Sequence, residues 1–299
     1  MSNTTDTHAN LRGHLGVPLH RPLTLAVVGA GARGAAYAEL VARRPGRARI
    51  VAVAEPRDHV RERFAVRHAL PAGRVFAGWR EMAAYGRIAD AVIVATLDAD
   101  HLAPTTAFAE QGYDILLEKP IAPTEAESLA VGEVAARTGA TVAVCHVMRY
   151  TPYTRRVKES LPELGEIVSV EHLEPIGSYH FAHSYVRGNW RRGDETAFAL
   201  LAKSCHDIDW LAHIVGRPVL RTSSFGGLHH FRPDNRPAEA AGRCLDCPLQ
   251  DTCAYSATTL YRDGLRDGGT KRHFTRVMAD GVLTEEAVTR ALAEGPYGR

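Results

Sequence analysis

The sequence predicts an α/β fold, a doubly wound parallel sheet followed by an α+β domain with an open antiparallel sheet, and three observations predict it. A glycine turn, Gly29-Ala30-Gly31-Ala32-Arg33-Gly34, follows the apolar run Leu23–Val28 and opens into the helix formers of residues 35–42. Strand-like apolar runs and alanine-rich or charged helical stretches then alternate from residue 23 to about 146, the rhythm of parallel strands with crossover helices. After Tyr150 the rhythm stops, and Thr151-Pro152 reads as a hinge. The expected division is a disordered tail over 1–21, a Rossmann nucleotide-binding domain over 22–150 and a substrate and oligomerisation domain over 151–299.

Leu23–Val28 is a short, mostly apolar run, suited to a strand buried on both faces. In the turn after it, Gly29 permits the tight bend, Gly31 lets backbone approach a pyrophosphate, and Gly34 lets helix pack on strand. The helix amides face the bound anion, so Gly29, Gly31, Arg33 and Gly34 are the expected phosphate-side residues. Ile50–Glu55 is the second strand, and Glu55 closes it twenty-one residues after Gly34. At that distance an acidic side chain accepts hydrogen bonds from the adenosine ribose. A carboxylate there repels a ribose phosphate, which favours NAD over NADP. Arg57 is the counterweight, since a guanidinium can pair with a 2′-phosphate, and a solvated strand end is the plainer alternative for Glu55.

Ala91–Ala95 is the next strand, and Thr96 after it offers a hydroxyl to the cofactor. His101 either lies beneath the adenine or phosphates or caps the following helix. Asp114–Leu117 ends in Glu118-Lys119-Pro120 at the sheet edge where ligands collect, beside the nicotinamide, with the proline fixing the backbone. Thr141–Cys145 is the last strand of the series.

In order along the sequence, GAGARG, ATLDADH, LLEKP and HVMRY resemble the glucose-fructose oxidoreductase/inositol dehydrogenase (Gfo/Idh/MocA) family, over roughly residues 23–260. The resemblance implies nicotinamide held between the two domains, chemistry on sugars, cyclitols or related polyols, and homo-oligomers formed through the second-domain sheet. It places Lys119 at the active site, Arg149 near the cofactor, and His206 as the active-site histidine of the second domain. The family often has an aspartate four residues before that histidine, where Ala202 stands here. Two substitutes are expected: Lys203 as a contact to a substrate hydroxyl, or Asp209 orienting His206 from three residues on. A histidine packed in a helix, and a solvated arginine at the domain boundary, are the structural alternatives for His206 and Arg149. Cys205-His206-Asp207 is no nucleophilic triad, because consecutive helical side chains point about 100° apart.

In the second domain, residues 166–173 alternate as a half-buried strand, 218–225 reads as another, 195–215 is helical, and Thr284 is a natural N-cap for a last helix. Two strands make a poor sheet. The second sheet is therefore expected to be incomplete, the polypeptide to be short at its C-terminal end, and its stability and activity to be reduced. Residues 177–191 are dense in His, Tyr, Trp and Arg. Tyr179, His183 and Arg191 there suit a polyol, with planar faces for C–H groups and donors for hydroxyls; a packed connection or subunit contact is the alternative.

Cys244, Cys247 and Cys253 give CxxC and a third cysteine six residues later. CxxC is the usual grip of two thiolates on one tetrahedral zinc. With His230 as fourth ligand, or His229 in its place, a structural zinc is expected; an iron–sulfur cluster, a redox pair or free thiols are the other readings.

The protein has 299 residues, a formal charge of +2 and five cysteines. That charge, spread without clustered arginines, argues against nucleic-acid binding. Neither a signal peptide nor a membrane span is expected, and the cytoplasm is the default. The resulting expectation is an NAD(P)-dependent oxidoreductase for a sugar- or cyclitol-like alcohol, with Lys119 and His206 handling the proton. A hydrolase or lyase using transient oxidation, and an inactive nucleotide-binding protein, are the alternatives.

Overall fold

Six parallel strands form one sheet in the order β3-β2-β1-β4-β5-β6. The computed structural model describes residues 21–267 and 269–299. The strands are β1 (Leu23–Val28), β2 (Ala48–Ala54), β3 (Val75–Phe76), β4 (Ala91–Val94), β5 (Asp114–Leu117) and β6 (Val142–Val144). Between them run α1 (Ala32–Ala42), α2 (Asp58–Arg67), α3 (Trp79–Ala84), α4 (Leu102–Glu110) and α5 (Glu125–Thr138). All five strands expected over residues 23–146 are present; β3, two residues long, carries too little periodicity to be seen. The strand order reverses between β1 and β4, and ligands of open α/β sheets bind beyond the strand ends at such a point.

Apolar alternation is absent from the central strands because both faces are covered. Ala26, Val28, Val92 and Val94 pack towards Phe108, Tyr113 and Leu117 on one side, while Val27, Val53 and Ile93 pack towards Ala38 and Phe64 on the other. At roughly 25 cal/mol per Å² of apolar surface removed from water, this two-sided burial is the chief stabiliser of the first half.

The tail expected over 1–21 lies outside the described residues except for Arg21, which forms a bidentate ion pair with Asp90, both contacts at 2.6 Å. Beyond the sheet come α6 (Pro152–Leu164), α7 (Ser178–Phe181), which runs into a wider helical turn over Ala182–Arg187, then α8 (Ala199–Val215), α9 (Ala257–Arg266), α10 (Gly269–Met278) and α11 (Glu285–Glu294). Helix α6 opens with Thr151 as N-cap and α11 with Thr284, each side chain accepting an amide three residues on. Helices α9 to α11 enclose a small core of their own around Tyr261, Phe274 and Leu292.

The antiparallel sheet expected in the second half is not found: among the described residues no strand follows β6. Residues 166–173 and 218–225 carry no ladder, and Val168, Leu220 and Phe225 are exposed. Alternation marks a face to bury, yet a strand also needs a neighbour for its backbone groups, and none lies beside these segments.

Candidate functional site

The glycine turn is shaped by close backbone approach. Gly29 has φ +86°, and a Cβ on it would stand 2.6 Å from the carbonyl of Ala95. A Cβ on Gly34 would meet the Gly29 carbonyl at 1.9 Å, so only glycine lets α1 start this close to β1. Helix α1 begins without a side-chain cap, leaving its first amides open to an anion. Glu55 is 2% exposed, and its Oε2 accepts the Ala30 amide at 2.9 Å. An uncapped helix end with a buried carboxylate beside it fits the phosphates and ribose of a dinucleotide.

At the neighbouring strand ends the expected cofactor residues are held by one another. The Glu118 carboxylate accepts Arg33 Nε at 2.7 Å, the Tyr37 hydroxyl at 2.6 Å and the Lys119 amide at 2.9 Å. Burial disfavours its charge, but the Tyr37 and Arg33 hydrogen bonds outweigh that and hold Glu118 below the ordinary carboxylate range. Tyr37 belongs to no motif of the sequence; its one signal is that it follows Arg33 by a helical turn. Thr96 Oγ1 donates to the Asp100 carbonyl at 3.0 Å, a local turn bond. His101 is 1% exposed, its side chain does not cap α4, and its Nδ1 lies 2.8 Å from the Pro120 carbonyl, tying the start of α4 to the Lys119-Pro120 turn.

The two halves meet over this edge. Lys119 Nζ donates to the Ala202 carbonyl on α8 at 2.8 Å, which brings Lys119 and His206 to one place. Burial first, then the Lys119 ammonium, lowers His206 to about 4, so its imidazole is neutral at neutral pH. Its buried Nδ1 has no partner, and the His146 ring stands edge-on at 6.0 Å. A largely apolar cleft of about 400 Å³ adjoins, lined by Pro120, His146, Leu201, Cys205, Ile208 and Asp209. Asp98, 3% exposed, closes the junction by accepting Trp190 Nε1 and the Ala197 amide, each at 3.0 Å. Asp98 lies in the ATLDADH motif and His146 opens HVMRY, but the motifs alone do not give either residue these partners.

Other expected residues have partners within the protein. Asp209 does not orient His206; it takes a bidentate pair from Arg149, so that guanidinium is spent within the protein. Lys203 Nζ donates to the Glu174 carboxylate. That carboxylate, His172 and Asp207 bring one ligand atom each within 4.8 Å of one another, but the Lys203 ammonium already supplies their cation. His183 is 4% exposed, bonds Tyr261 at 2.9 Å and stacks on Tyr297, leaving no face for a substrate. Tyr179 is partly exposed against Phe274, while Arg191 donates to the Gly188 carbonyl at 3.2 Å.

The cysteine segment does not gather as a metal site. Among the described residues, the His172 group is the sole set of three or more metal-type ligands within mutual reach, so Cys244, Cys247, Cys253 and His230 do not converge. Cys244 Sγ instead accepts the Ala257 amide at 3.4 Å at the start of α9, and His230 packs on Tyr255 with ring centroids 4.9 Å apart.

Residues 23–146 match the model of the Gfo/Idh/MocA family, described as an oxidoreductase family with an NAD-binding Rossmann fold. The chain is 27% identical to the oxidoreductase YteT of Bacillus subtilis over 214 residues, 67% of this chain and 50% of that one. It is 27% identical to inositol 2-dehydrogenase 2 of Paenarthrobacter aurescens over 71% of this chain and 61% of that one. A 2,7-anhydro-N-acetylneuraminate hydratase of Escherichia coli is 28% identical over 49% of this chain and 39% of its own. The protein thus spans about half the length of the relatives it matches. In fold, it superposes on an inositol dehydrogenase homologue of Azotobacter vinelandii with TM-score 0.58 and 24% identity, over 66% of this chain and 53% of that one. No described helix is long and apolar enough to cross a membrane. With the glycine turn, Glu55 and the Glu118-Lys119-Pro120 edge so placed, residues 23–146 match the NAD-binding Rossmann fold that the Gfo/Idh/MocA family model describes.

Proposed function

We propose that this protein is an NAD-dependent oxidoreductase acting on a sugar- or cyclitol-like alcohol, and the observation that carries it is Lys119 held on α8 beside a neutral His206. The dinucleotide, when bound, supplies the hydride acceptor. Gly29, Gly31 and Gly34 shape the turn for its phosphates, and Glu55 accepts the ribose hydroxyls, which selects NAD over NADP. Glu118, fixed by Arg33 and Tyr37, sets the Lys119 backbone. The Lys119 ammonium donates to the substrate oxygen and stabilises the charge that develops there, while the His206 imidazole takes the hydroxyl proton. Arg149 and Lys203 act behind the site through Asp209 and Glu174, and Tyr179 is the substrate contact retained from residues 177–191. The names among relatives that speak of inositol or of a sugar acid favour a polyhydroxylated substrate.

Incubation with NAD and a panel of cyclitols and aldoses, followed by NADH absorbance, tests this. Lys119→Ala is expected to lower kcat/KM by about 10²-fold or more with NAD binding retained. Undiminished turnover in that variant sinks the assignment.

The hydratase relative supports a second reading, in which NAD is reduced and reoxidised within one turnover. Substrate loss without NADH accumulation would select it.

A further inference from the structure

Arg57 is not free at the end of β2. Its amide and its Nε both donate to Glu55 Oε1, at 3.1 and 2.7 Å, and its Nη2 reaches Oε2 at 3.1 Å. Burial opposes the Glu55 charge, but these bonds prevail and hold its carboxyl below the ordinary range. The same Nη2 lies 3.6 Å from where a Cβ on Gly31 would stand, so the cation sits at the lip of the glycine turn. Its remaining nitrogen, Nη1, pairs with Asp280, 223 residues further along.

Asp280 stands in the turn after α10, and three basic side chains of the α2 region meet it. Arg57 takes Oδ1, His59 Nε2 is 3.5 Å from Oδ2, and Arg63 donates to its carbonyl. The turn is built to aim this residue. Asp280 has φ +49°, a left-handed conformation that a short polar side chain tolerates better than most, and Gly281 follows at φ +84°. A Cβ on Gly281 would meet Arg63 Nη2 at 3.0 Å.

We infer that Asp280 is a cofactor-specificity residue: its carboxylate, delivered from the second half, occupies the Arg57–His59 pair and denies it to a ribose 2′-phosphate. This rests on the reading that the glycine turn binds a nicotinamide dinucleotide. A guanidinium and an imidazole just past β2 are the donors a 2′-phosphate needs, and free they would offset repulsion from Glu55. With Asp280 in place, an incoming phosphate must displace a carboxylate of like charge. A dinucleotide lacking the phosphate meets no such barrier, so the discrimination is a repulsive element set against the wrong ligand.

Titration of the protein with NAD and NADP, read by tryptophan fluorescence or calorimetry at one ionic strength, tests the latch. Asp280→Ala is expected to tighten NADP by about tenfold or more while NAD changes by less than about threefold. Asp280→Asn keeps the shape without the charge and is expected to gain part of this; the double variant Arg57→Ala/Asp280→Ala is expected to lose the gain. NADP affinity unmoved in both single variants, or a gain that survives loss of Arg57, overturns the inference while NAD binding stands. Wild-type protein that binds neither dinucleotide overturns the functional reading and the latch with it.

Discussion

The first half and the second half solve the same problem differently. In the first, each strand of a β–α–β unit arrives with its neighbour and its covering helix, so Phe108, Tyr113 and Leu117 are sealed within a core that nearby sequence provides. In the second, α9 to α11 seal a core around Tyr261, Phe274 and Leu292, whereas Val168, Leu220 and Phe225 lie exposed on unpaired segments. Local closure makes a fold independent of what lies far along the sequence. Segments that alternate without a neighbour depend on a partner strand.

The sharpest way to break that contrast is to truncate one aromatic in each half. Phe108 is 0% exposed and Phe225 97% exposed. Phe108→Ala is expected to cost about 3–5 kcal/mol in denaturant unfolding, and Phe225→Ala to stay within about 0.5 kcal/mol. A comparable loss for Phe225 would show that it is covered in solution, and the contrast between halves would fall.

What the residues reveal by their order alone follows the same division. Gly29, Gly34 and Glu55 are legible because their roles are set by neighbours along the sequence: a turn, a helix start, a strand end. Lys119 is legible from its strand-terminal place together with the EKP resemblance, and Thr284 from capping chemistry. Arg57–Asp280 and Asp98–Trp190 are not, since the partners stand 223 and 92 residues apart and no local pattern joins them. His183 misleads for a related reason. An aromatic, histidine-rich stretch looks alike whether it faces a sugar or packs on Tyr261 and Tyr297, and only burial separates the two. The cysteine spacing promises a zinc grip, but spacing fixes reach and not convergence, and among the described residues no three of these ligands stand within mutual reach.

The junction between the halves offers the next test. Asp98 accepts Trp190 Nε1 and the Ala197 amide from the second half and the Ala99 amide from its own turn. Asp98→Ala leaves buried donors without an acceptor, so a loss of about 1–3 kcal/mol is expected. Limited proteolysis should then cut faster between residues 185 and 198 than in β4. Unchanged cleavage there would mean that the halves are held by something other than Asp98.

The smallest effect is a pH dependence carried by His183 of the second half. Burial, reinforced by His180, His273 and Arg187, lowers His183 to about 3. Unfolded protein protonates this histidine below its ordinary value of about 6.5, whereas folded protein does not until about pH 3. Its contribution to stability is therefore complete above about pH 6.5 and lost as pH falls through that window, at up to about 1.4 kcal/mol per pH unit. His183→Gln has no such proton to exclude. Its deficit relative to wild type, measured by urea unfolding at about pH 7 and again at about pH 5, should shrink at the lower pH; a deficit that stays constant would mean that His183 is not the buried neutral group its contacts with Tyr261 and Tyr297 require.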